Sequence, residues 1–151
     1  MAFPEAVYPT VAPFYFQAAH KITFLPNMKA KVSIWFGKFH NQAALEKFME
    51  VDYSEARDNE PWMTSDFGRD FRITYYDEDL IEVCFQENGL DNDLLAQLSY
   101  ADTFMDKLIC NDPSFNSVVA IYELDYEQQH DKIAKSPFFE FIGSFDYFFK
   151  K

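Results

Sequence analysis

Glycine and cysteine are both scarce in this 151-residue chain, with four and two copies respectively. So few glycines, beside seven prolines, leave little room for a flexible linker, and no composition break marks a second domain. Repeats and low-complexity tracts are also missing. The cysteines, Cys84 and Cys110, form no CxxC pair, and neither a signal peptide nor a long apolar run is present. These absences argue against a disulfide framework, and a reduced, cytoplasmic setting with buried free thiols is the expectation. Basic residues are sparse in the middle of the chain. Residues 50–82 carry −8 and residues 83–131 carry −9, against +3 for residues 1–49 and +2 for residues 132–151. A central half at −17 repels nucleic acid and anionic membranes and attracts basic surfaces.

Aromatic residues, by contrast, are abundant: 18 Phe and 9 Tyr within 48% apolar residues. That supply excludes disorder, since burying such side chains offsets the entropy of ordering the chain. Residues 1–27 stand apart, holding three of the prolines and one charge of each sign, and Met28 then opens a strand-like run. The expected organisation is an N-terminal extension over 1–27 and one domain over 28–151.

KVSIWFGKF (31–39) alternates, with Val32, Ile34 and Phe36 on one face and Trp35 on the other, which predicts a strand with Trp35 in the core. Asn41 caps a helix striped by Ala44, Leu45, Phe48 and Met49. Residues 51–64 read as an acidic loop ending near Trp62, and SDFGRDF (65–71) as a short helix capped by Ser65 or Asp66. Extended chain is predicted over 72–76 and a buried strand over 80–85, followed by turn chemistry at Asn88-Gly89. Leu98, Ala101, Met105 and Leu108 recur at helical spacing, predicting a helix over 94–109. Strands follow at 117–126, with Tyr122, Leu124 and Tyr126 on one side, and at 138–149, with Phe139, Phe141, Phe145 and Tyr147 on one side. The order predicts an α+β domain: a mostly antiparallel sheet of four to five strands, two main helices on one face, and the last two strands paired as a hairpin.

Reaction chemistry finds little footing. Asp66-Phe67-Gly68 matches the kinase metal-binding triplet, but no Gly-rich loop, lysine strand or catalytic loop accompanies it. Asp77, Asp79 and Glu82 lack the central Gly and twelfth-position Glu of a calcium loop. No lysine is placed behind Glu123 and Asp125 for a two-metal site, and the three histidines have no ligand neighbours. No nucleophile elbow occurs. No catalytic residue, metal or cofactor is therefore assigned.

Several runs resemble the immunity-protein family numbered 22 of bacterial polymorphic toxin systems. They are Val32-Ser33-Ile34-Trp35-Phe36-Gly37 with Phe39, Asp52-Tyr53, Asp70-Phe71, Tyr76-Asp77-Glu78-Asp79, Ser99-Tyr100-Ala101-Asp102-Thr103-Phe104 and Phe141-Ile142-Gly143-Ser144-Phe145. They occur in order over about residues 31–147; residues 1–27 have no counterpart, and Arg72 stands where a Gly is expected. The resemblance implies a non-catalytic cytoplasmic protein that binds and neutralises a cognate toxin, a basic protein such as a nuclease domain. Within it, the expected partner-binding residues are Asp52, Trp62, Asp66, Asp70, Tyr75, Asp77, Glu78, Asp79 and Glu82, with Trp62 and Tyr75 as aromatic anchors. Two other readings stay open: a small enzyme using paired carboxylates, and an oligomerising adaptor.

Overall fold

The computed structural model describes residues 29–53, 65–73, 76–110, 112–129 and 134–148. The expected extension over 1–27 lies outside the described residues. Four strands, β1 (Lys29–Gly37), β2 (Ile81–Phe85), β3 (Ser117–Tyr122) and β4 (Phe139–Phe148), form one sheet in the order β2-β3-β1-β4. Every pairing is antiparallel, so the domain is α+β as the alternating runs predicted. The expected hairpin of the last two strands does not form: β3 and β4 flank β1 on either side. The central place falls to β1, and Val32, Ile34, Trp35 and Phe36 on it are fully buried.

Strand alternation divides the core into two layers. On one face Trp35, Ile81, Val83, Phe85, Val119 and Ile121 meet α1 (Gln42–Met49) and α2 (Asp66–Phe71) through Leu45, Phe48, Met49, Phe67 and Phe71. Trp35 lies at its centre, with the rings of Phe67, Phe71, Tyr126 and Phe141 at 5.1 to 5.6 Å. These edge-on and tilted contacts suit the aromatic quadrupoles and add to the area buried. On the other face Val32, Ile34, Phe36, Cys84, Val118, Ala120 and Tyr122 meet Leu94, Leu95, Leu98, Ala101 and Phe104. The sheet is thus covered on both sides, with α1 and α2 together on one.

The cover of the second face differs from the helix expected over 94–109. Its chain forms α3 (Asn92–Leu95) and two single 3-10 turns, Ala101–Thr103 and Met105–Lys107. The Ser99 amide donates to a carboxylate oxygen of Glu82 at 2.9 Å, so it is directed away from the helical ladder. Tyr100 then takes left-handed angles (φ 59°), which no continuing right-handed helix accommodates. Apolar residues still recur every three or four positions because consecutive tight turns also bury one side.

β3 ends at Tyr122, four residues before the expected limit. Glu123 turns the chain at φ 60°, and its amide donates to Lys31 O at 2.8 Å. The following residues cross β1 on the first face. Ser33 Oγ donates to Leu124 O at 2.7 Å and accepts from the Tyr126 amide at 3.0 Å. This strap runs into α4 (Tyr126–Gln129), so Tyr122 and Tyr126 belong to opposite layers.

A bulge interrupts the β1–β4 register between Ile34 and Trp35. Gly143 sits there at φ 158°, and a Cβ at that position would lie 2.9 Å from the Phe145 ring. The extra residue reverses the alternation. Phe139 and Phe141 consequently enter the first layer while Phe145 and Tyr147 join the second, correcting the single shared side expected for all four. Of the two cysteines, Cys84 is buried as expected, but Cys110 is exposed.

Candidate interaction face

The C-terminal end of α1 and the start of α2 frame an open cleft of about 420 Å³. Lys47, Glu50, Val51 and Asp52 line one wall, and Ser65, Asp66 and Arg69 the other. Local capping sets both walls. Asn41 accepts from the Ala44 amide at 2.8 Å to start α1, and Ser65 Oγ accepts from the Gly68 amide at 2.9 Å to start α2. Both helices then bury Phe and Leu side chains on the same sheet face, which fixes the space between them. Asp66, in the first turn of α2, complements the helix dipole and pairs with Arg69 one turn on. Asp70 follows Asp66 by four residues and is half-buried on the same side of the helix.

The acidic run at 77–79 leads into β2 as a 3-10 turn, Glu78–Leu80. Asp77 caps it, its carboxylate accepting from the Asp79 amide at 2.9 Å. Asp77, Glu78 and Asp79 are all exposed. Two contacts join this turn to the cleft. The hydroxyl of Tyr53, which is 60% exposed and adjoins Asp52, donates to the Glu78 carboxylate. Tyr76 is buried and hydrogen-bonds Ser65; burial pushes its phenol pKa up, the Ser65 bond opposes that rise, and the nearby Glu78 charge adds to it. Asp52, Asp66 and the acidic turn therefore share one surface despite their separation in the chain. Lys47 and Arg69 leave the cleft itself of mixed charge, and the excess of carboxylates builds towards the turn.

Glu82 does not belong to that surface. It is fully buried on the opposite face of β2, where its carboxylate accepts from the Ser99 amide at 2.9 Å, from the Ser99 hydroxyl and from Tyr122 Oη at 3.1 Å. The expected contact role is corrected by this burial: the side chain fastens the 96–104 coil to the sheet. Its negative charge, together with burial, keeps the Cys84 thiol protonated far above the ordinary thiol range, the burial being the larger cause. Trp62 and Tyr75 lie outside the described residues. Tyr53 was missed as a site residue; an aromatic side chain directly after a helix, in an acidic polar run, is the signal that marks it.

Among the described residues no group of three His, Cys, Asp or Glu side chains is placed to hold a metal ion. Among them, too, no helix is long and apolar enough to cross a membrane. Among the described residues this face presents the carboxylates of Asp52, Asp66 and Asp77–Asp79 and the exposed ring of Tyr53.

Neither the curated proteins nor the solved structures contain a match to the chain. The family model described as Immunity protein 22 matches residues 32–148, from the first core residue of β1 to the last residue of β4. With its match extending over all four strands and most of the sequence, the chain belongs to the Immunity protein 22 family.

Proposed function

We propose that this chain binds a cognate toxin domain stoichiometrically and neutralises it, docking the face formed by Asp52, Tyr53, Asp66 and Asp77–Asp79 onto a basic surface. Membership of an immunity-protein family supports toxin neutralisation as the role. The Tyr53–Glu78 hydrogen bond carries the assignment of the face, because it ties the stretch holding Asp52, which shares a cleft with Asp66, to the acidic turn. A nuclease domain, whose substrate groove is basic, is the partner class with matching charge. Exposed carboxylates contribute little affinity singly in water, but their summed field speeds encounter and orients the partner. An interface of roughly 1,600 Å² is ordinary for such a complex. No bond is made or broken in this mechanism.

The test is co-expression with the toxin domain encoded beside this chain, followed by purification and an activity assay of the toxin. A 1:1 complex with abolished toxin activity, whose association slows as salt rises, is the expected result. Toxin activity unchanged by an excess of this protein sinks the proposal. Tight binding with a salt-independent association rate removes the acidic face from it.

A further inference from the structure

Asn88-Gly89, at the turn after β2, is a step where a chain can react with itself. No other asparagine in the sequence precedes a glycine. At such a step the following backbone nitrogen, once it gives its proton to solvent, can attack the asparagine side-chain carbon. Glycine has no Cβ to obstruct that approach.

The fold holds this nitrogen. The Gly89 amide donates to Gln86 O at 3.0 Å, closing the turn around Glu87 and Asn88. The Gln86 side chain closes it a second time, its Nε2 donating to Gly89 O at 2.9 Å and to Asp91 Oδ2 at 3.0 Å. Asp91 is itself fixed as the cap of α3. On either side of the turn, the Gln86 amide donates to Asn116 O at 2.9 Å and the Leu90 amide to Phe115 O at 3.0 Å. Both ends are therefore stitched to the chain that enters β3. Gly89 is buried at φ 108°, while Asn88 is exposed. The reactive carbon thus lies at the surface, and the proton of the attacking nitrogen is committed to a carbonyl.

We propose that Asn88 is a self-modification site silenced by folding, with the Gln86 clamp as the restraint. When the turn opens, the Gly89 nitrogen bonds to Asn88 Cγ, the bond from Cγ to the side-chain nitrogen breaks, and ammonia leaves a five-membered succinimide. Water then opens either ring carbonyl, giving aspartate or isoaspartate. One water is consumed for each ammonia released, and nothing is oxidised. Either product adds a carboxylate beside Glu87 and Asp91. Isoaspartate also lengthens the main chain by one carbon, so the Gly89 amide no longer meets Gln86 O. A chain marked while unfolded regains a defective turn. This inference is independent of the toxin-binding reading.

Peptide mass spectrometry of residue 88 at mildly alkaline pH, with amide exchange at Gly89, tests it on the full chain. Conversion at Asn88 is expected to run about tenfold or more slower in the folded protein than in unfolding urea. Gln86→Ala removes the side-chain half of the clamp and leaves the backbone bond. It should speed conversion and Gly89 exchange by the same factor, about threefold or more, since both reactions begin with loss of the same proton. Comparing the two wild-type states requires no variant to fold. Equal conversion in folded and unfolded wild type overturns the proposal. A folded Gln86→Ala protein that speeds Gly89 exchange without speeding conversion, or leaves both unchanged, overturns it too.

Discussion

The Tyr53 hydroxyl donates its proton to the carboxylate of Glu78, joining the end of the α1 segment to the turn before β2 across 25 residues of chain. Both residues are exposed, so the bond does more to orient the acidic face than to hold the core.

Charge and orientation on this face separate kinetically. Neutralising the turn with Asp77→Asn, Glu78→Gln and Asp79→Asn should slow association with the toxin about tenfold at low salt. The difference should shrink towards nothing at high salt, where exposed charges are screened. Tyr53→Phe keeps every charge and removes the hydroxyl's bond to Glu78. Its association rate should match wild type while dissociation quickens about fivefold, the equivalent of about 1 kcal/mol. Stopped-flow mixing across a salt series reads both.

Glu82 behaves in the opposite way. Glu82→Ala takes from the Ser99 amide and the Ser99 hydroxyl their carboxylate acceptor, while the Tyr122 hydroxyl keeps Ser99 O at 2.8 Å, and should destabilise the fold by about 3 kcal/mol. Glu82→Gln retains one acceptor oxygen and should cost about 1–2 kcal/mol. Urea unfolding measures both. The folded fraction of either variant should still associate with the toxin faster than the neutralised turn, because the Glu82 carboxylate is fully buried.

Arg72 ends α2 at φ 59° and ψ 37°, where its amide donates to carbonyls of the last helical turn. A side chain is strained there and glycine is not. Arg72→Gly should therefore stabilise the protein by about 0.5–1 kcal/mol, read as a rise in the thermal midpoint.

Asp91 caps α3, and the Leu94 amide followed by the Gln86 side chain holds its carboxyl below the usual Asp value of 3.8. Because the folded-state pKa is lowered, the carboxylate's contribution is present above the unfolded value and lost as pH falls through the folded one. Asparagine also caps helices but does not titrate. Asp91→Asn should match wild type near neutrality and lose stability less steeply below about pH 4. Urea midpoints across an acid series check the slope.

How much of this was legible in the sequence depended on whether a residue's fate was decided locally. The period-two pattern of Val32, Ile34 and Phe36 and the caps at Asn41 and Ser65 are local, and the structure places all of them where the pattern does. The Gly that the family resemblance implies at Arg72 agrees with the structure too, since the backbone there adopts left-handed angles despite the side chain. Long-range bonds decided the rest. Nothing near Glu82 announces that Ser99 and Tyr122 will enclose it, so an acid following three exposed ones read as part of the same surface. Ser33 and Ser144 likewise draw the chain after Tyr122 across the sheet, ending a strand whose alternation continues to Tyr126. The negative charge of this region was legible in composition; the position of Tyr53 after a helix was visible too, but its partner Glu78, 25 residues on, was not.

The bulge opposite Ile34 and Trp35 has a consequence for how β4 finds its place. Phe139 and Phe141 must enter one layer and Phe145 and Tyr147 the other, so sliding the strand by a single position would expel rings from both cores at once. Uniform alternation would expose only one set to the wrong side. With its parity reversed halfway, the strand carries two independent checks on alignment, and only one setting along β1 satisfies both.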